Sequence, residues 1–95
     1  MKGKKLVSII LTSYNEEKNI GRTIKDCQKL KEQFPIEIIV VDAASKDKTI
    51  DIAKKNGAKV FTHSLDYSFS AQRNFGLAQA KGEWILFIDA DERIS

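Results

Sequence analysis

Residues 36–49 read IEIIVVDAASKDKT. Ile36–Val41 is a short run, apolar except for Glu37 and rich in β-branched side chains, the pattern of a strand buried on both faces of a parallel sheet. Asp42 follows it directly, and a turn of small and polar residues then leads into a stretch of helical character. Strand, acidic edge, turn and helix make up the repeating unit of α/β proteins. Working outward, Leu6–Leu11 (LVSIIL), Ala58–Phe61 (AKVF) and Trp84–Ile88 (WILFI) have the same short, β-branched or aromatic character. Three helical stretches separate these four strands.

Between the first two strands, Ile20, Ile24, Cys27, Leu30 and Phe34 recur at helical spacing. The pattern predicts a helix capped by Asn15, with Glu16 and Glu17 well placed against its dipole and Pro35 as its stop. The second helix is expected over roughly 47–56, with Ser45 or Asp47 as cap and Gly57 beyond its end. The third is expected over roughly 70–81, with Ala71, Phe75 and Ala78 on one stripe and Gly82 past its end. The order β-α-β-α-β-α-β predicts an open α/β parallel sheet with right-handed crossovers.

The 95 residues suit one domain, and no repeat, linker or low-complexity stretch divides them. The chain is 42% hydrophobic and 31% charged with a single proline, which argues against a disordered or fibrous segment. No apolar run approaches membrane-spanning length, and Met1–Leu11 is too short and interrupted to be a secretory leader. The net charge of +3 is mild and its lysines are scattered, so a nucleic-acid partner is not expected. Cys27 is alone, falls on an apolar stripe and reads as a core residue; a reducing, cytoplasmic compartment is expected. The five glycines form neither a dinucleotide-binding fingerprint nor a P-loop. His63 has no nucleophile partner and reads as a loop residue.

Ligands of parallel α/β sheets bind beyond the carboxyl ends of the strands, where strand order reverses. Thr12, Ser13, Tyr14, Asn15 and Glu16 follow the first strand, Asp42 the second, and Asp89, Asp91 and Glu92 the fourth. In Asp89-Ala90-Asp91, an extended chain turns both carboxylates the same way, which suits a hard divalent cation such as Mg²⁺ or Mn²⁺. Asp42 can cap the turn at Ser45–Asp47, contact a ligand, or do both. Tyr14 offers a ring for stacking on a base, or for packing. Arg73 can reach a diphosphate or form a surface ion pair.

Together VSIILTSYNEEKNI, IEIIVVDAASKDKT and SAQRNFGLAQAKGEWILFIDADE resemble the nucleotide-binding half of family-2 glycosyltransferases with the GT-A fold. The last segment is similar to bacterial enzymes that build lipopolysaccharide core and other surface glycans. The resemblance implies a three-layer α/β/α sheet with strand order 3-2-1-4. It implies that Thr12, Tyr14 and Glu16 contact the nucleoside, that Asp42 faces the base, and that Arg73 lies on the nucleotide side. Asp89 and Asp91 match the D-x-D motif: Asp89 is expected at the ribose, and Asp91, with Asp89, at a Mg²⁺ or Mn²⁺ ion on the diphosphate. Ala43 and Ala44 stand where many relatives carry a second acid and a glycine.

The resemblance further implies that residues 1–95 are the nucleotide-sugar-binding part of the domain, ending before the acceptor half. The expected reaction is inverting transfer of a sugar from a nucleoside-diphosphate donor to a hydroxyl. No catalytic base is identified, since Asp42, Asp89 and Asp91 are all assigned to the donor. Membrane association is left to a longer parent protein. A receiver-type signalling domain is disfavoured because Thr12-Ser13 stands where an acid pair is needed. The alternative class is a non-catalytic α/β scaffold that forms a homo-oligomer through an exposed fourth strand.

Overall fold

A computed structural model describes residues 5–63 and 69–89. Its strands are β1 (Val7–Ser13), β2 (Ile36–Asp42), β3 (Lys59–Thr62) and β4 (Trp84–Asp89). Its helices are α1 (Ile20–Gln28), α2 (Thr49–Lys55) and α3 (Phe69–Gln79), and a short 3₁₀ turn at Lys29–Glu32 follows α1. Every strand pairing is parallel and the order is β3-β2-β1-β4, as expected. The steps from β1 to β2 to β3 run one way across the sheet, so right-handed crossovers set α1 and α2 on one face. The step from β3 to β4 reverses direction, and the same handedness sends α3 to the other face. Three layers result.

On the first face Ile9 and Leu11 of β1 and Ile38 and Val40 of β2 pack with Ile20, Ile24 and Cys27 of α1 and Ala53 of α2. A helix of nine residues is too short to persist alone. Each buried isoleucine contributes about 1.5–3 kcal/mol, so this contact, and not propensity, holds α1 in place. Burial, with the charge of Asp26 adding to it, raises the Cys27 thiol to about 11. That is the condition of an inert core thiol.

Three sequence expectations about the helices are corrected. Helix α1 begins at Ile20, and Asn15 lies in the preceding loop with a left-handed backbone, φ 50°. Helical geometry ends at Gln28, leaving Phe34 43% exposed instead of in the core stripe. On α3 the buried positions are Gln72 and Gly76, whereas Ala78 is exposed. The second helix keeps its expected stop but begins at Thr49, with Lys48 in the cap position, and Asp47 supports that turn from one residue further back, its Oδ1 accepting from the Thr49 amide at 2.9 Å. At its other end Gly57 adopts φ 92°, with Gly57 N donating to Lys54 O and Ala58 N to Ala53 O. This paired closure satisfies the last carbonyls and needs a residue tolerant of positive φ.

Gly76 explains the shifted stripe on α3. A Cβ built there would lie 2.6 Å from Ile10 Cγ2 and 3.1 Å from Val41 Cγ2. The helix therefore rests its backbone on β1 and β2, and hydrophobic periodicity cannot reveal a contact made by a residue without a side chain. Phe75 beside it meets Phe61 edge-on at 5.6 Å and the His63 ring at 4.1 Å.

A polar clamp closes the amino end of the sheet on the α3 side. Glu37 Oε2 accepts from Ser8 Oγ at 2.5 Å and from the Lys81 amide at 2.6 Å, while Oε1 accepts from Lys59 Nζ at 3.1 Å. Ser8 Oγ in turn accepts from Gly82 N at 2.8 Å. Burial alone would raise the Glu37 carboxyl, but the hydrogen bonds from Ser8, Lys81 and Lys59 outweigh it and hold the group below its usual value. Its charged form is thus fixed across β1, β2 and the turn into β4.

Strands β1 and β2 are buried as expected for a two-sided sheet. Strand β4 is not: Trp84 is 61% exposed, Leu86 39% and Phe87 36%, with Ile88 alone well covered. It pairs only with β1 and forms one edge of the described sheet.

Gly76→Ala is expected to lower stability by about 1–3 kcal/mol despite the better helix propensity of alanine, because the added methyl overlaps Ile10. Thermal unfolding checks this; a variant as stable as the parent would show that α3 can lift from the sheet at no cost.

Candidate functional site

The reversal between β1 and β4 puts the candidate crevice at their carboxyl ends. Thr12 and Asp89 are register partners across these two strands, and Ser13 is the partner of Asp42 on the other side. Side chains alternate along a strand, so these pairs lie on opposite faces. Thr12 and Asp89 share the face of Ile10, beneath α3. Ser13 and Asp42 share the face of Leu11 and Val40, beneath α1 and α2. The candidates therefore gather along one edge but as two groups.

The first group is organised by Asp42. Its carboxylate has no exposed surface. Oδ1 accepts from Ser13 Oγ at 2.7 Å and from Ser45 Oγ at 2.5 Å, and Oδ2 accepts from the Ser45 amide at 2.6 Å. The capping role expected of Asp42 is present: its oxygens hold the loop after β2. Ser45 Oγ also accepts from the Asn15 amide at 2.8 Å, so the carboxylate is linked through one hydroxyl to the loop after β1.

Further bonds complete this joint. Asn15 Oδ1 accepts from the Lys46 amide at 2.9 Å, and Glu17 Oε1 from the Lys48 amide at 3.0 Å. The Glu16 amide donates to Thr49 Oγ1 at 2.8 Å, and Thr49 Oγ1 donates to Asp47 Oδ1. Desolvation acts to raise the Asp47 carboxyl, but the hydrogen bonds from Thr49 and the Glu17 amide together outweigh it and hold the group below its usual value. Asn15 serves as a loop connector in the left-handed region, which asparagine tolerates because its short polar side chain bonds locally. The joint leaves Tyr14 39% exposed at the edge. Glu16 Oε1 accepts from Asn19 Nδ2 at 3.1 Å, which orients its carboxylate along the loop.

The second group lies under α3. Asp89 is exposed at the end of β4, beside Thr12. Phe87, two residues earlier on the same face, carries the Arg73 guanidinium 4.3 Å above its ring. Arg73, Asn74, Ser70, Leu77 and Phe87 line a hollow of about 240 Å³. The aromatic seat brings a permanent positive charge to the flank of Asp89, a favourable arrangement for an anionic ligand. Asp91 and Glu92 lie outside the described residues.

A divalent cation fits the donor set in one respect. Mg²⁺ and Mn²⁺ take hard oxygen ligands, and such ions at phosphate sites use one or two carboxylates with phosphate and water completing the shell. Asp89 is an exposed carboxylate at the right edge. Among the described residues no three His, Cys, Asp or Glu side chains group to form a complete protein cage.

Comparison with known proteins bears on this geometry. A sequence model described as Glycosyl transferase family 2 matches residues 8–95. The chain belongs to that family. An uncharacterized glycosyltransferase of Rickettsia typhi is 38% identical over 92 residues, covering 97% of this chain and 30% of the relative. Glucosyl-3-phosphoglycerate synthase of Petrotoga mobilis is 41% identical over 80 residues, covering 81% of this chain and 23% of that enzyme. Among solved structures, glucosyl-3-phosphoglycerate synthase of Mycobacterium tuberculosis in complex with Mn²⁺, UDP and glucosyl-3-phosphoglycerate superimposes with a TM-score of 0.80 at 27% identity. That match covers 94% of this chain and 34% of the enzyme. This family-2 glycosyltransferase chain thus spans about a third or less of these relatives. It has the fold of the nucleotide-sugar transferases, and no helix among its described residues is long and apolar enough to cross a membrane.

Sequence reading missed the parts of Ser13, Asn15 and Thr49 in joining the two loops. Small hydroxyl and amide residues at both strand ends were the available signal. Ala44, in the middle of the joint, has φ 59° and an exposed side chain. Positive φ costs an L-residue about 1–2 kcal/mol, partly offset by the greater unfolded-state freedom of glycine. Ala44→Gly is therefore expected to raise stability by about 0.5–1 kcal/mol in urea unfolding. A lower midpoint would show that this turn is not strained.

Proposed function

We propose that this segment binds the nucleoside-diphosphate sugar donor of an inverting glycosyltransferase, at the carboxyl edge between β1 and β4. The observation that carries the reading is the pairing of Thr12 with Asp89 at the reversal point, with Arg73 and Tyr14 flanking it. The Mn²⁺ and UDP bound by the Mycobacterium tuberculosis synthase support the same class of ligand.

Each residue is assigned by its chemistry. Tyr14 offers its exposed ring to the base. Glu16 and Thr12 face the nucleoside, and Asp89 accepts hydrogen bonds from ribose hydroxyls. Arg73 gives a planar, permanently charged donor to the diphosphate. Asp42 acts from behind, setting the Tyr14–Glu16 loop before the ligand arrives, so that less ordering is needed on binding. Asp89 and Asp91 would hold Mg²⁺ or Mn²⁺, which when bound supplies charge neutralisation at the departing diphosphate. No residue of the chain is assigned to deprotonate the acceptor, so the 95 residues bind donor without turning it over.

Calorimetric titration with UDP and GDP, with Mn²⁺ and with chelator, tests the proposal. Metal-dependent binding is expected, weakened about tenfold or more in Asp89→Asn because a charge-assisted contact is lost. An absence of nucleotide binding at millimolar concentration would sink it.

The exposed edge favours a second, compatible reading: association of copies through β4. Trp84 and Leu86 lie with Val7, Leu30, Phe34 and Ile85 around an apolar hollow of about 420 Å³. An open strand edge with apolar flanks pairs readily with another chain. Sedimentation is expected to show association that rises with concentration and is abolished in Leu86→Lys; a clean monomer at high concentration removes this reading.

A further inference from the structure

We infer that the Gln72 carboxamide is a donor-recognition group, giving its Nε2 hydrogens to oxygen atoms of a nucleoside diphosphate held beside Thr12 and Asp89. The inference rests on the donor-site reading above and adds a residue to it. Gln72 is only 7% exposed, and its buried Nε2 has no hydrogen-bond partner among the described residues. An amide nitrogen left in this condition destabilises the fold. Native proteins contain few such groups, and each calls for a cause.

Position supplies the cause. Gly76, four residues further along α3, is the point where the helix touches Ile10 and Val41. One turn back, the same helix face has moved about 5–6 Å toward the carboxyl edge. That matches the two-residue step of about 6.6 Å along β1 from Ile10 to Thr12. Gln72 therefore stands on the sheet-facing side of α3, level with Thr12 and its register partner Asp89. Arg73, the next residue, holds its guanidinium over Phe87 on the flank of the same strand.

The chemistry fits a polyoxygen ligand. Leucine or methionine would fill a similar volume and leave no unmet donor, so the polar choice is costly without a ligand. A carboxamide brings two hydrogens and no net charge, and suits ribose or phosphate oxygens where Asp89 already supplies the acceptor. Its terminal torsion is broad, and side-chain rotations on binding are common, so the amide can reach the edge without moving the helix.

Gln72→Leu and Gln72→Met, made in this chain, test the inference through two readouts: thermal unfolding without ligand, and UDP and GDP titration with Mn²⁺. Both variants are expected to unfold at higher temperature than the parent, because the unmet donor is gone. Both are expected to bind nucleotide about fivefold more weakly. Parent-like nucleotide affinity in the variants overturns the inference while leaving the donor site standing. Lower unfolding temperatures, or failure of both variants to fold, assign the amide a structural role and overturn it as well. If the parent itself binds neither nucleotide with Mn²⁺, this inference falls together with the donor-site reading.

Discussion

The edge of the sheet depends on one buried carboxylate. Asp42 receives hydrogen bonds from Ser13 on the neighbouring strand and from Ser45 in its own loop, and Ser45 passes the connection to Asn15. A buried carboxylate is tolerated only when its lone pairs are met. Here the partners are the last residue of β1 and the loop after β2, and Ser45 extends the connection to the loop after β1. Desolvating the charge thus has a structural return: two mostly polar segments become one surface. Tyr14 is exposed because the residues on either side of it are held.

The opposite face solves a different problem. Helix α3 must lie close enough to β1 for polar groups near its start to meet the strand ends, and Gly76 removes the side chain that would prevent it. The same closeness buries Gln72 and brings Arg73 over Phe87. One face of the edge is thus built from loop hydrogen bonds and the other from helix approach. A ligand spanning the reversal between β1 and β4 meets both.

Much of this was legible in the residues. The β-branched runs and their spacing carry the class and the place of each strand, since buried parallel strands need continuous apolar surface, although β1 runs on past its apolar stretch to Ser13. The order 3-2-1-4 came through the family resemblance. Other features were hidden for identifiable reasons. Asparagine suits a helix-flanking position by type, and only the left-handed turn at Asn15 sets it apart from a cap. Apolar periodicity selected Ala78 over Gly76 because it measures side chains and the contact is made by backbone. Gln72 escaped notice because a polar residue on a helix is assumed to face water. Asp42 was ambiguous between ligand and scaffold, and its burial is a property of three dimensions. Asp91, central to the metal expectation, lies outside the described residues.

The clamp at Glu37 sits at the far end of the strands from the Asp42 joint. Ser8 and Ser13, the β1 residues that serve the two, are five positions or about 16 Å apart along the strand. Groups so distant and without shared partners vary independently. Divergence among descendants of this sequence can then remodel the loops that meet a ligand while the turn feeding the edge strand stays anchored. Recognition is free to drift, and the scaffold is not obliged to follow.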